Sequence, residues 1–156
     1  MSHFYLDASA VVKRYSPETG TVWVRALTDP TAGHTIMLGD IPLAEVAAAI
    51  TAKHRAPGGI TVEERENVVA LFLSHCITDC ELIAVNRSII DRAVNLTLNH
   101  TLRGYDAVQL ATTLVADAAL TAADLAPLIF VTADADLVAA AAAEGLATEN
   151  PNLYVT

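Results

Sequence analysis

Leu128-Ile-Phe-Val-Thr-Ala-Asp-Ala-Asp-Leu137 is the stretch from which the fold is read. Leu128 to Thr132 is the most strand-like run in the chain, β-branched and aromatic, and the first charge after it is Asp134. From Asp134 to Glu144 the composition turns to alanine and leucine, which predicts a helix ended by Gly145. A strand passing into a helix through an acid is one βα unit of a parallel sheet. The N-terminus repeats the pattern: His3-Phe-Tyr-Leu6 reads as a strand, Asp7 follows it, and Ser9 to Tyr15 as a short helix.

Between these ends the alternation continues. Ser16-Pro17-Glu18 reads as the start of a second helix, a capping serine followed by proline at the first helical position, running to about Asp29-Pro30. His34 to Leu38 is a second strand, and a third helix spans about Pro42 to Lys53 before the breaker Ala56-Pro-Gly-Gly59. Thr61 with Glu64 forms a capping box that opens a fourth helix to about Ile77. Glu81 to Val85 is a third strand, Arg87 to His100 a fifth helix and Gly104 to about Ala119 a sixth. Asn152 to Val155 reads as an edge strand. The whole predicts an α/β fold of three layers, α/β/α, with a mainly parallel sheet of four to five strands. Residues 1–156 show no internal repeat, linker or boundary, so one domain is expected.

Composition narrows the class. Apolar residues make up 53% of the chain and aromatics only 5%, an alanine-rich balance that suggests closely packed helices. Charged or polar residues interrupt every apolar stretch, and Met-Ser-His-Phe-Tyr-Leu-Asp7 lacks a secretory leader, so a cytoplasmic protein with no membrane association is expected. Cys76 and Cys80, four apart in what reads as one helix, are expected to be reduced thiols, because a disulfide at that spacing would be strained. Trp23 is expected in the core or at a dimer interface. The net charge of −9 argues against a polyanionic partner, yet all nine Lys and Arg lie between Lys13 and Arg103. A groove lined by Lys13, Arg14, Lys53, Arg55 and Arg103 would still be locally basic, and Arg103, three residues before Asp106, is the first choice for a phosphate contact.

Four acids need explaining. Asp7 and Asp134 each follow a strand and precede a helix, where ligands collect at the carboxyl ends of parallel strands; each is also a good helix N-cap. Glu45 is the one charge in Ile41-Pro-Leu-Ala-Glu-Val-Ala-Ala-Ala-Ile50, a helix otherwise apolar on every face and therefore expected to be buried. It either reaches the surface at the helix start or meets a cation in a cleft. Asp106 is the sole charge of Tyr105 to Ala116 and admits the same two readings. Converging carboxylates raise one another's pKa and destabilise the fold, a conflict that a hard divalent cation such as Mg²⁺ or Mn²⁺ resolves. Such a site can activate water against a phosphodiester.

These residues also carry a resemblance. Leu6-Asp7-Ala-Ser9-Ala, Leu43-Ala-Glu45-Val, Leu102-Arg-Gly-Tyr-Asp106-Ala-Val-Gln-Leu-Ala and Phe130-Val-Thr-Ala-Asp134-Ala-Asp-Leu resemble, in order, the four signature blocks of PIN-domain ribonucleases, and most nearly the small VapC-type toxins of bacterial toxin–antitoxin pairs. The resemblance implies that Asp7, Glu45, Asp106 and Asp134 are the metal ligands and catalytic acids, with Ser9 and Thr132 near the metal and Asp136 a spare carboxylate, expected to face outward. It implies Mg²⁺- or Mn²⁺-dependent endonucleolytic cleavage of RNA to a 3′ hydroxyl and a 5′ phosphate. It further implies a homodimer and a small antitoxin partner that blocks the cleft. Two rivals stand beside it. A phosphatase of haloacid-dehalogenase type would use Asp7 as nucleophile, but requires an Asp where this chain has Ser9, and a Lys that is absent after Lys53. A PIN-like domain kept for binding, with weak or no catalysis, would have little reason to retain four like charges.

Overall fold

The computed structural model describes residues 1–155. In chain order the elements are β1 (His3–Leu6), α1 (Ala8–Tyr15), α2 (Thr21–Leu27), β2 (Thr35–Gly39), α3 (Asp40–Arg55), α4 (Val62–Thr78), β3 (Cys80–Ile83), α5 (Arg87–Asn99), α6 (Gly104–Ala122), β4 (Leu128–Val131), α7 (Ala135–Ala143) and β5 (Ala147–Glu149). All four strand pairings are parallel, in the order β3-β2-β1-β4-β5. The chain therefore steps outward from β1 to β2 and β3, then crosses back to place β4 on the other side of β1.

Alternation of side chains across the sheet builds the two outer layers. Phe4, Leu6, Ile36, Leu38 and Val131 pack against Ala10, Val11, Val24, Val46, Ile50 and Phe72, so α1 to α4 cover one face. Tyr5, Met37, Leu128 and Phe130 pack against Ile89, Ala93, Leu110, Leu114, Leu137 and Ala141, so α5 to α7 cover the other. With β1 buried along its whole length, the centre of the sheet is dry on both faces. The three-layer α/β/α arrangement expected from the alternation is the one observed.

Several local readings are corrected. Ser16 does not open a helix. Its backbone N–H bonds back to Val12 and closes α1, while Thr21 Oγ1 accepts from Glu18 N–H at 2.9 Å and donates to Ser16 O at 3.3 Å. The helix then starts at Thr21, after Gly20 at φ +87°. Asn152 to Val155 is not a strand: Ala147–Glu149 takes the edge, and Pro151, unable to donate to a ladder, leads into a 3-10 turn at Pro151–Leu153. Helix α4 ends at Thr78, so Cys80 opens β3 rather than sharing a helix with Cys76; both thiols are free. Helix α3 is not buried all round: Pro42, Val46 and Ile50 are its fully buried residues, Ile41 and Leu43 pack partly against the core, and Ala44 and Ala48 face solvent. Alanine is small enough to be left outside at little cost, which makes its count a weak guide to burial. From Thr121 to Pro127 the chain makes the last turn of α6 and reverses at Asp124 (φ +55°), where Leu125 N–H bonds to Leu120 O.

The C-terminal segment is fastened to the α1–α2 connection. Trp23 and Tyr154 stack with centroids 4.4 Å apart and planes within 5°. A Cβ on Gly20 would lie 2.3 Å from Pro151 O. Gly20→Ala would combine left-handed strain with this clash, and is predicted to cost on the order of 2–3 kcal/mol. Because Trp23 is the single tryptophan, its fluorescence should change as Tyr154 is pushed away, which denaturation followed at that wavelength will record alongside the stability.

Candidate active site

The crossing back of the chain puts a topological switch at β1 and β4, and the acids gather at its carboxyl edge. Asp7 leaves β1 as the N-cap of α1. Its Oδ1 accepts the Ala10 N–H at 3.0 Å and the Ser9 hydroxyl at 2.6 Å, and its Oδ2 accepts the Thr132 hydroxyl at 2.5 Å. Thr132 is the first residue beyond β4, and its Oγ1 in turn accepts the Asp134 N–H at 3.2 Å. Ser9 Oγ accepts the Ala133 N–H at 2.9 Å. Two short hydroxyl side chains thus bind the first acid to the turn that carries the fourth. Asp134 caps α7, taking N–H groups from Asp136 and Leu137 at 2.9 and 3.2 Å. Both strand-end aspartates are therefore caps, as the simpler reading held, while also lying at the shared edge.

Glu45 reaches this edge from the second turn of α3 and Asp106 from the first turn of α6; both are half-buried. The electrostatics tie the set together. Burial pushes Asp7 up to about 6, against the three hydrogen bonds that hold it down, and the charge of Asp106 adds to the rise. Glu45 is raised by burial and then by Asp7 and Asp106. Asp106 is raised by burial and by Asp134, with Arg103 opposing. Asp7 and Glu45 thus feel the charge of Asp106, which in turn feels Asp134 and, as its opposing cation, Arg103.

The other expected residues divide. Arg103 is exposed at the foot of α6 beside Asp106. Lys13 is buried and paired with Glu18 at 3.4 Å, while Arg14 lies 3.8 Å from Asp79 and over the Tyr15 ring, so both are engaged within their own layer. Lys53 and Arg55 sit in the last turn of α3, about two turns or more from Glu45. Asp136 is exposed on α7 and lines a shallow groove with His100 and Thr101. Tyr5 and Gln109, buried directly beneath the acids, carried no signal in the sequence: each sits in an apolar run and reads as packing.

Among the described residues no three His, Cys, Asp or Glu side chains are grouped closely enough to hold an ion as they stand. The donor chemistry fits a hard divalent cation nonetheless, because the set is all oxygen and Asp7, Glu45 and Asp106 are each raised by burial and then by a neighbouring carboxylate. The same repulsion has a consequence for stability. Asp7 takes up its proton more readily folded than unfolded, so its contribution is fully present below about pH 4 and is lost as pH rises through about 6. In chelator the protein should lose on the order of 2–3 kcal/mol across that window on this account, and Asp7→Asn should remove most of the loss, as urea titrations at pH 4.5 and 7.5 will measure.

No family model matches the chain, and no curated protein matches it. Solved structures do. A toxin–antitoxin complex from Klebsiella pneumoniae matches at TM-score 0.57 and 18% identity, over 97% of this chain and 98% of the other. The VapC20 toxin of Mycobacterium tuberculosis, described as cleaving the sarcin–ricin loop, matches at TM-score 0.57 and 16% identity over 92% and 95%. VapBC2 from Rickettsia felis, bound to a DNA fragment from its promoter, matches at TM-score 0.59 and 15% identity over 95% and 98%. Likeness at these identities speaks for architecture, and the chain has the fold of these toxin and toxin–antitoxin structures, a PIN-like α/β/α fold of the kind its four sequence blocks resemble.

Proposed function

We propose that residues 1–156 form one PIN-like nuclease domain, a Mg²⁺- or Mn²⁺-dependent endoribonuclease that acts in the cytoplasm as the toxin of a toxin–antitoxin pair. What supports the reading is that Asp7 and Glu45 both feel the charge of Asp106, and Asp106 that of Asp134, on elements that end or begin at the switch point of a parallel sheet. The fold likeness supports it, since the matched structures are toxins or toxin–antitoxin complexes. The sarcin–ricin loop named for the mycobacterial protein supports RNA as the substrate class, and the two complexes support a small antitoxin as partner. A homodimer belongs to the same reading.

In this reading Asp7, Glu45, Asp106 and Asp134 would hold the cation, and the chemistry it would supply is a more acidic water and positive charge against the phosphodiester. The chain's own groups do the rest. Ser9 and Thr132 take one oxygen each of Asp7 and fix the plane of its carboxylate. Glu45 and Asp106 keep part of their surface in solvent, where a substrate can reach them, and Arg103 meets the phosphate beside Asp106. The aspartyl-phosphatase alternative needs a second acid two residues beyond Asp7, where this chain has Ser9, whose hydroxyl donates to Asp7 Oδ1 instead.

Labelled RNAs incubated with purified protein should be cut in Mn²⁺ or Mg²⁺ and left whole in chelator. Asp7→Asn and Asp106→Asn should each reduce the rate by roughly two orders of magnitude or more. Cutting that persists in both variants would sink the assignment.

A further inference from the structure

We infer that Tyr5 and Gln109 are positioning residues for this site, a buried hydrogen bond that sets how far the acids of β1, α3 and α6 stand from one another. The inference rests on the metal-dependent nuclease reading above. Tyr5 lies two residues before Asp7 and is fully buried; its hydroxyl donates to Gln109 Oε1 at 2.5 Å, across 104 residues of sequence. Gln109 is 3% exposed and lies one turn along α6 from Asp106. The bond therefore ties the strand that ends at Asp7 to the helix that begins with Asp106.

The third acid is set by the same hydroxyl. Gly39 ends β2 and is the N-cap of α3, six residues before Glu45. A Cβ on Gly39 would stand 2.6 Å from Tyr5 Oη, so the phenol's tip presses against the backbone from which α3 departs. Packing alone does not call for this hydroxyl. The Tyr5 ring already meets Phe130 edge-on at 5.7 Å, and a phenylalanine would serve that contact. A buried hydroxyl is unfavourable unless bonded, so its presence at the junction of the three acid-bearing elements points to a task of alignment. Metal sites respond steeply to such alignment, because ligands displaced by a fraction of an ångström bind the ion more weakly.

The test compares Tyr5→Phe and Gln109→Met with Val24→Ala, a core substitution in α2, a helix that bears none of the four acids and does not touch the Tyr5–Gln109 bond. Two quantities are measured in each: the Mn²⁺ concentration giving half of the maximal melting shift, and that giving half-maximal RNA cleavage. Tyr5→Phe and Gln109→Met should raise both by about tenfold or more, while Val24→Ala lowers the metal-free melting temperature and leaves both midpoints unchanged. Should Tyr5→Phe fail to fold, Gln109→Met breaks the same bond from the other side. Equal midpoints in wild type and the two site variants would overturn the inference while leaving the nuclease reading intact. A wild-type protein that shows neither melting shift nor cleavage with Mn²⁺ would overturn that reading, and the inference with it.

Discussion

Removing the Asp7 carboxylate from water is the costly step around which this fold is arranged. Three donors compensate, yet the group still titrates near 6, and three further acids approach the same edge. The donors come from different places: the Ala10 backbone and Ser9 from α1, and Thr132 from beyond β4. Holding Asp7 thus requires β1 and β4 to be neighbours in register, with His3 opposite Leu128 and Leu6 opposite Val131. The chain must cross the sheet to bring this about, and that crossing also creates the crevice. Fold and site are consequences of one pairing.

Much of this was legible in the residues. A chain that alternates apolar runs with helical patterns leaves few topologies open, and the Thr61–Glu64 capping box was found where the pattern put it. Asp106 and Glu45 stood out because each is the one charge in an apolar segment, and a solitary carboxylate demands an account. What escaped notice was geometry that depends on partners distant in sequence. Ser16-Pro17 has the grammar of a helix start, but Thr21 and the Lys13–Glu18 pair close the turn differently. Pro151 deprives the C-terminal segment of a strand, and Ala147–Glu149 takes its place because Thr132 N–H finds Glu149 O. Tyr5 and Gln109 were silent because a bond across 104 residues leaves no local trace.

The acidic balance also finds a physical setting. Beyond Arg103 the chain carries no Lys or Arg, and the segments bearing Asp106 and Asp134 both lie in that stretch. Under the proposed reading, a site that presents its own negative charge to a polyanion would work only with cations recruited to it, which makes ionic conditions part of the proposed chemistry rather than a background to it. Lys13 and Arg14, engaged with Glu18 and Asp79, serve the helical layer instead.

The two outermost strands bear on how such a protein stays dispersed at high concentration. β3 has four residues and β5 three; each pairs on one side only, and each carries a glutamate, Glu81 and Glu149. Short rims bearing charge are poor templates for another chain's backbone, so stacking of sheets end to end into larger β aggregates is discouraged at both sides. Exposed apolar area lies instead on helical surfaces, at Leu71, Leu73 and Ile77 of α4 and Val94 and Leu98 of α5.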